Sequence, residues 1–145
     1  MRYLGIDFGL RFIGLALSDE EGRFAMPLAV LEQPKHLVEE IKKTAEENNV
    51  GAIVIGESRD FQGKENAVMA KIHHFKMEVE AATKLPVHLQ AEFLTSHQAS
   101  KLQDKGDKLH SSAAALILQS FLDTMNMKPA NEEEISGRWQ KDRPE

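Results

Sequence analysis

The chain reads as an α/β domain built on a mixed five-stranded sheet with helices on both faces. Three observations predict it. Three short extended segments follow one another near the N-terminus, with turn residues between them. Beyond them, stretches with apolar residues at helical spacing alternate with short, continuous apolar runs. The 145 residues, 41% hydrophobic and 28% charged, make about one domain of ordinary globular composition.

Arg2 to Asp7 reads as the first strand and Phe12 to Ser18 as the second, with Gly9 supplying the turn between them. Asp19-Glu20-Glu21-Gly22 is a second turn signal. It leads to a third strand candidate, Phe24 to Leu31, bent near Pro27. Segments this close together form an antiparallel meander. The pattern then changes: Leu37, Ile41, Thr44 and Ala45 recur at helical spacing, with Pro34 at the start of that helix. Ala52 to Ile55, ending at Gly56, is a continuous apolar run of the kind buried on both faces of a parallel sheet. Val68, Ile72, Phe75, Val79 and Ala82 mark one stripe of a longer helix, and Pro86 to Leu89 is a fifth strand. Thr95-Ser96-His97-Gln98 fits a capping box that opens a helix. Ser111 to Met125 is the last helix, with Ala114, Leu118, Phe121 and Met125 on its inner face. The order is β-β-β-α-β-α-β-α-α. The division expected is a domain over 1–128 and a polar, flexible tail over 129–145.

Totals narrow the function. No apolar run approaches the roughly 20 residues that cross a bilayer. An acid at Asp7 interrupts what would be the core of an export signal. The absence of cysteine removes disulfide and thiolate chemistry and fits a cytoplasmic protein without a membrane. A net charge of −5 gives no global attraction for a polyanion, so nucleic-acid binding would depend on a local basic patch or on metal ions.

Two carboxylates stand where sheets of this kind gather chemistry, at strand ends. Asp7 lies at the end of the first strand before Phe8-Gly9, and Glu92 follows the strand around Val87-His88-Leu89. Together they would make an oxygen-rich site for Mg²⁺ or Mn²⁺, ions that activate water and stabilise the charge built up in phosphodiester cleavage. Spacing alone favours the plainer reading, with Asp7 a turn former and Glu92 a charge at a helix start, because acids at strand ends are common.

The residues themselves carry a resemblance. Leu4 to Asp19, LGIDFGLRFIGLALSD, resembles the opening of the YqgF/RuvX family, roughly D-x-G-x-K/R-R-I-G-x-A-x-S-D. Gly56 to Gly63 is similar to the family's G-L-P-x-N-x-D/N-G loop. Ala91 to Ser96 resembles D-E-R-L-T-T/S, and Ala113 to Leu122 the closing A-A-A-L-I-L-Q-S-Y-L helix. The resemblance implies an RNase H-like fold and a metal-dependent nuclease. The expected role is maturation of the 16S ribosomal RNA precursor; the alternatives are a Holliday junction resolvase-like DNA nuclease and a divergent, catalytically weak RNA-binding or ribosome-assembly factor. It implies nucleic acid as partner, RNA or branched DNA, the ribosome or its precursor as a further one, and a monomer or homodimer. It also implies metal carboxylates at Asp7, at Glu92 and at the start of the last helix, where this chain has His110.

Catalytic and metal-binding roles are therefore expected at Asp7, Glu92 and His110. The departures cluster: Phe12 replaces the second basic residue of the first block, Ala91 and Phe93 flank Glu92 in place of Asp and Arg, and Glu57-Ser58 replace Leu-Pro. His110 reads as a surface histidine at a helix start with no role, or as a ligand or proton carrier in place of Asp; a third reading makes Asp107, one helical turn earlier, the stand-in carboxylate. Imidazole suits Mn²⁺ better than Mg²⁺. His73 and His74, adjacent on one helix, cannot both face one metal and read as solvated; Lys101, Lys105 and Lys108 read as a solvated face that could meet phosphates. The D-x-G opening also resembles the phosphate-binding hairpin of actin-like ATPases, but the chain is too short for their two domains and has no Gly-rich P-loop.

Overall fold

The computed structural model describes residues 1–9, 11–32, 35–57, 67–91 and 108–141. Within them the strands are β1 (Arg2–Phe8), β2 (Phe12–Ser18), β3 (Ala25–Glu32), β4 (Val50–Glu57) and β5 (Val87–Ala91). The helices are α1 (Leu37–Glu47), α2 (Ala67–Thr83) and α3 (Lys108–Lys141). The five strands form one sheet in the order β3-β2-β1-β4-β5. β1, β2 and β3 pair antiparallel, whereas β4 runs parallel to β1 and β5 parallel to β4. The expected mixed sheet with helices on both faces is therefore what forms.

Strand alternation sorts the side chains into two layers. Leu4, Ile6, Ile13, Leu15, Ile53 and Ile55 point to one face and are fully or almost fully buried there with Ile41 of α1 and Ile72, Phe75 and Val79 of α2. Tyr3, Ala16, Ala52 and Val54 point to the other, against Ala114, Ile117, Leu118 and Leu122 of α3. β4 is a run of buried residues from Ala52 to Gly56 because both its faces are covered.

The edge and turns follow local chemistry. β3 is an edge strand, which is where Pro27, lacking an N–H, is tolerated. The register with β2 shifts between Leu15 and Ala16, so the bend expected near Pro27 is a β-bulge at Leu28. In the β2–β3 turn, Asp19 Oδ1 accepts hydrogen bonds from the backbone N–H groups of Arg23 (2.8 Å) and Phe24 (2.9 Å), and Gly22 adopts φ +70°. Those bonds hold the Asp19 carboxyl below its ordinary pKa. Asp19 thus shapes a turn, although it closes the family's first sequence block. Gln119 ties α3 to this turn: its Oε1 accepts from the Ala25 N–H (2.9 Å), and its Nε2 donates to the Arg23 carbonyl (2.8 Å).

The last helix departs from the sequence expectation at its far end. Ser111 to Met125 lies inside α3 as expected, but the backbone stays helical to Lys141, through most of the segment expected to be a tail. A polar composition does not by itself oppose helix, since Glu, Lys, Arg and Gln are good helix formers. The helix expected from Thr95 lies outside the described residues.

Candidate active site

Parallel pairing places the C-terminal ends of β1, β4 and β5 side by side at one end of the sheet. Asp7 sits there, one residue before the end of β1, on the α3 face. It pairs across β1 and β2 with Gly14. A residue opposite Gly14's missing side chain has room on that face, and α3 uses it. A Cβ added at Gly14 would collide with the backbone carbonyl of His110, and one at Gly5 would crowd Leu118 and the Ala114 carbonyl. At Gly56 it would meet Ile117. Three glycines, one on each central strand, thus form a trough that lets the first turns of α3 lie close on the sheet.

That close approach brings the N-terminal turn of α3 to Asp7. His110 Nδ1 lies 3.8 Å from Asp7 Oδ2, an ion-pair separation too long for a hydrogen bond. Both side chains are only partly exposed, at 34% for His110 and 25% for Asp7. Burial pushes the Asp7 carboxyl pKa up from its ordinary value, because the charged form loses solvation. His110 acts the other way, and more weakly.

The imidazole is held from the other side by Phe12, whose ring lies 5.1 Å from it at 34°. Arg11 in turn stacks over Phe12, its guanidinium carbon 5.0 Å from the ring centre, and lies 3.5 Å from Glu32. The sequence marked Phe12 only as a departure from a basic residue, and the structure makes it the neighbour of the other departure, His110. Nothing in the spacing of positions 12 and 110 announces that they meet. Gly14 was more legible: a glycine inside an apolar strand signals close backbone approach.

Of the three expected site residues, Asp7 and His110 come together from opposite ends of the chain. Glu92 follows Ala91, the last residue of β5, and lies outside the described residues, as do Phe93, Lys101, Lys105 and Asp107. His73 and His74 are exposed, as expected; His74 lies 3.3 Å from Glu78. Among the described residues no three acidic or histidine side chains cluster as a metal site. The Asp7–His110 pair offers one hard oxygen donor and one nitrogen donor, which fits two positions of a divalent ion's shell and leaves the rest to other ligands or water.

A family profile described as RuvX, Holliday junction resolvase, matches residues 1–124. The chain belongs to the RuvX family. That membership makes it a nuclease, a hydrolase acting on phosphodiester bonds. Among its relatives is a protein of Anaeromyxobacter sp. (strain Fw109-5) named "Putative pre-16S rRNA nuclease", 38% identical, with 85% of this chain and 97% of the relative covered. A protein of the same name from Dictyoglomus turgidum is 34% identical, over 88% of this chain and 97% of its own. The fold is shared with Thermus thermophilus RuvC, solved in complex with a Holliday junction substrate, at a TM-score of 0.59 and 16% identity. That match covers 88% of this chain and 96% of RuvC. The fowlpox virus Holliday junction resolvase matches at a TM-score of 0.55 and 14% identity, over 86% of this chain and 99% of its own. These likenesses establish the RNase H-like fold expected from the sequence. No helix among the described residues is long and apolar enough to cross a membrane.

Proposed function

We propose that this RuvX-family nuclease is metal-dependent and cuts structured RNA in the cytoplasm, its substrate being the precursor of 16S ribosomal RNA. The observation that carries the metal site is the pairing of Asp7 with His110 at the end of the sheet where β1, β4 and β5 terminate, and the choice of RNA follows the relatives named "Putative pre-16S rRNA nuclease". A partly buried carboxylate with a raised pKa is costly to the folded protein in the absence of a cation, and a bound divalent ion would relieve that cost.

In this reading Asp7, Glu92 and His110 hold Mg²⁺ or Mn²⁺. Gln90 aligns with Gly56, next to Asp7 on the same face, and Glu92 is the chain neighbour of Ala91, where β5 ends. A bound ion would supply Lewis-acid stabilisation of the phosphoryl oxygens and would activate water for attack. The chain's own residues fix the donors: Asp7 is anchored in β1, and His110 is wedged between Phe12 and the Gly14 trough. Replacing a third carboxylate with neutral imidazole lowers the negative charge of the site, which favours Mn²⁺ over Mg²⁺.

The test is cleavage by the purified protein of single-stranded RNA, precursor 16S RNA and four-way DNA junctions, in Mg²⁺ and in Mn²⁺. The expected result is RNA cleavage that is faster in Mn²⁺, with His110→Asp shifting the preference toward Mg²⁺. Faster cutting of junctions would favour the resolvase role, which needs a two-fold dimer for paired cuts. Binding without cleavage in either ion would leave an RNA-binding or ribosome-assembly factor.

A further inference from the structure

On the face opposite Asp7, at the same end of the sheet, a groove of about 630 Å³ opens between the start of α1 and the N-terminal half of α2. Its position follows from topology. α1 leads back into β4 and α2 leads out of it, so the N-terminal ends of both helices lie where β4 terminates. Phe8 lines the groove and is the chain neighbour of Asp7; alternation along β1 turns the two side chains to opposite faces. The groove and the candidate active site are thus the two sides of one sheet end.

The floor is apolar. Phe8 and Phe75 pack with ring centres 5.0 Å apart, and Leu37, Val38 and Ala70 complete it. Its rim carries two cations, Lys35 and Lys71, neither of which has an ion-pair partner among the described residues. The two acids of the rim are differently placed. Glu39 lies 3.8 Å from His36 and Glu78 lies 3.3 Å from His74, so each carboxylate is turned to a histidine of its own helix or helix cap. In a chain of net charge −5 the groove lining is formally neutral, two lysines against two glutamates, and among the described residues neither lysine is paired with either glutamate.

Cations that can meet phosphate beside an aromatic surface that can meet a base are the two elements of single-strand recognition. We propose that this groove holds one nucleotide of a single-stranded segment next to the bond being cut, its base against the Phe8 side of the floor and its phosphate between Lys35 and Lys71. The assignment rests on the nuclease reading, which supplies the strand. A base reaches such a floor only when it is out of its stack, so the groove selects single-stranded over duplex flanks. It also gives this small protein a second hold on a strand that passes over the rim from the Asp7 side.

The experiment reads the binding of a short labelled single-stranded RNA, and of its duplex, to the full chain in EDTA over a salt series. Hydrolysis of bis(p-nitrophenyl) phosphate in Mn²⁺ is read alongside, because that diester is too small to reach the groove from Asp7. Lys35→Ala/Lys71→Ala should weaken single-strand binding about tenfold and flatten its salt dependence by roughly 0.7 in log–log slope for each phosphate the protein no longer neutralises. Duplex binding and diester hydrolysis should stay at wild-type values. Phe8→Leu should weaken single-strand binding roughly fivefold with the salt slope unchanged, since stacking carries no charge. Unchanged single-strand binding in the lysine variant, with diester hydrolysis intact, overturns the groove and leaves the nuclease reading standing. Equal losses on single strand and duplex overturn the nucleotide pocket in favour of an ordinary backbone interaction. A wild-type protein that cuts neither RNA nor the diester overturns the nuclease reading, and with it the identity of the strand as substrate.

Discussion

The two faces of the sheet are built on opposite principles from the same strands. Toward α1 and α2 the strands present Leu4, Ile6, Ile13, Leu15, Ile53 and Ile55, large side chains that fill the space and bury apolar area. Toward α3 they present Tyr3 and Val54 among Gly5, Gly14, Ala16, Ala52 and Gly56, small residues that bury little but let a helix lie against the backbone. The first face supplies most of the stabilisation expected from burial. The second supplies position: it sets the His110 imidazole 3.8 Å from Asp7. Stability and site geometry are therefore separable by mutation, and the contrast can be tested from either side.

The largest effect is expected at Asp7. Asp7→Asn keeps the shape of the side chain and removes the charge that would hold a cation, so cleavage should fall by at least about a hundredfold, the loss of several kcal/mol of charge stabilisation. The fold should survive, as judged by circular dichroism. Wild-type rates in this variant would detach Asp7 from catalysis.

Gly14→Ala comes next, because the added methyl meets backbone, which cannot step aside. It should cost about 1–3 kcal/mol of stability as overpacking, and it should also cut activity about tenfold by displacing the first turn of α3. Its counterpart on the other face, Ile53→Val, should cost about 1 kcal/mol and leave the rate per folded molecule unchanged. If both variants lose activity only in proportion to stability, the division of labour between the faces is wrong.

A smaller effect is expected at Phe12. Phe12→Leu removes the ring that flanks His110, and a supporting interaction of that kind is worth roughly 10-fold in metal affinity or activity. The His110 ring proton shifts, read by NMR without metal, should move as the ring current of Phe12 disappears. In Phe12→Arg/His110→Asp, which exchanges both neighbouring departures together, activity should exceed that predicted from the two single variants.

The smallest effect is on stability against pH, without added metal. The Asp7 pKa is raised in the folded state, mainly by burial, above the unfolded value near 3.8. Between those two values the native protein holds a proton that the unfolded chain has released. Stability at this site is therefore gained as pH falls through the raised value and is lost as pH rises through it. Asp7→Asn should melt above wild type at neutral pH, and that advantage should vanish in acid. An Asn variant that melts lower at neutral pH would show that the Asp7 charge is compensated by more than His110.

The candidate site was half legible in the sequence. Asp7 could be found because an apolar run that reaches Phe8-Gly9 ends its strand there whatever the remainder of the chain does. The residue that flanks His110 could not, because positions 12 and 110 meet only once α3 has packed across β2. The groove beside Phe8 was invisible for the same reason: nothing in the sequence singles out Lys35 and Lys71 until α1 and α2 are laid side by side.

What the sequence determined by itself is local and periodic: five strands, the helices between them and the apolar stripe of each helix. These follow from spacings of two and of three to four residues, which neighbours along the chain impose. The extent of the last helix was less fixed, since Glu, Lys, Arg and Gln are good helix formers and equally common in tails. What tertiary structure alone decided is which residues from distant segments share a space. Asp7, Phe12 and His110 converge because three glycines leave room for one helix on one face of the sheet. A missing side chain says that something can come close, and only the packed chain decides what does.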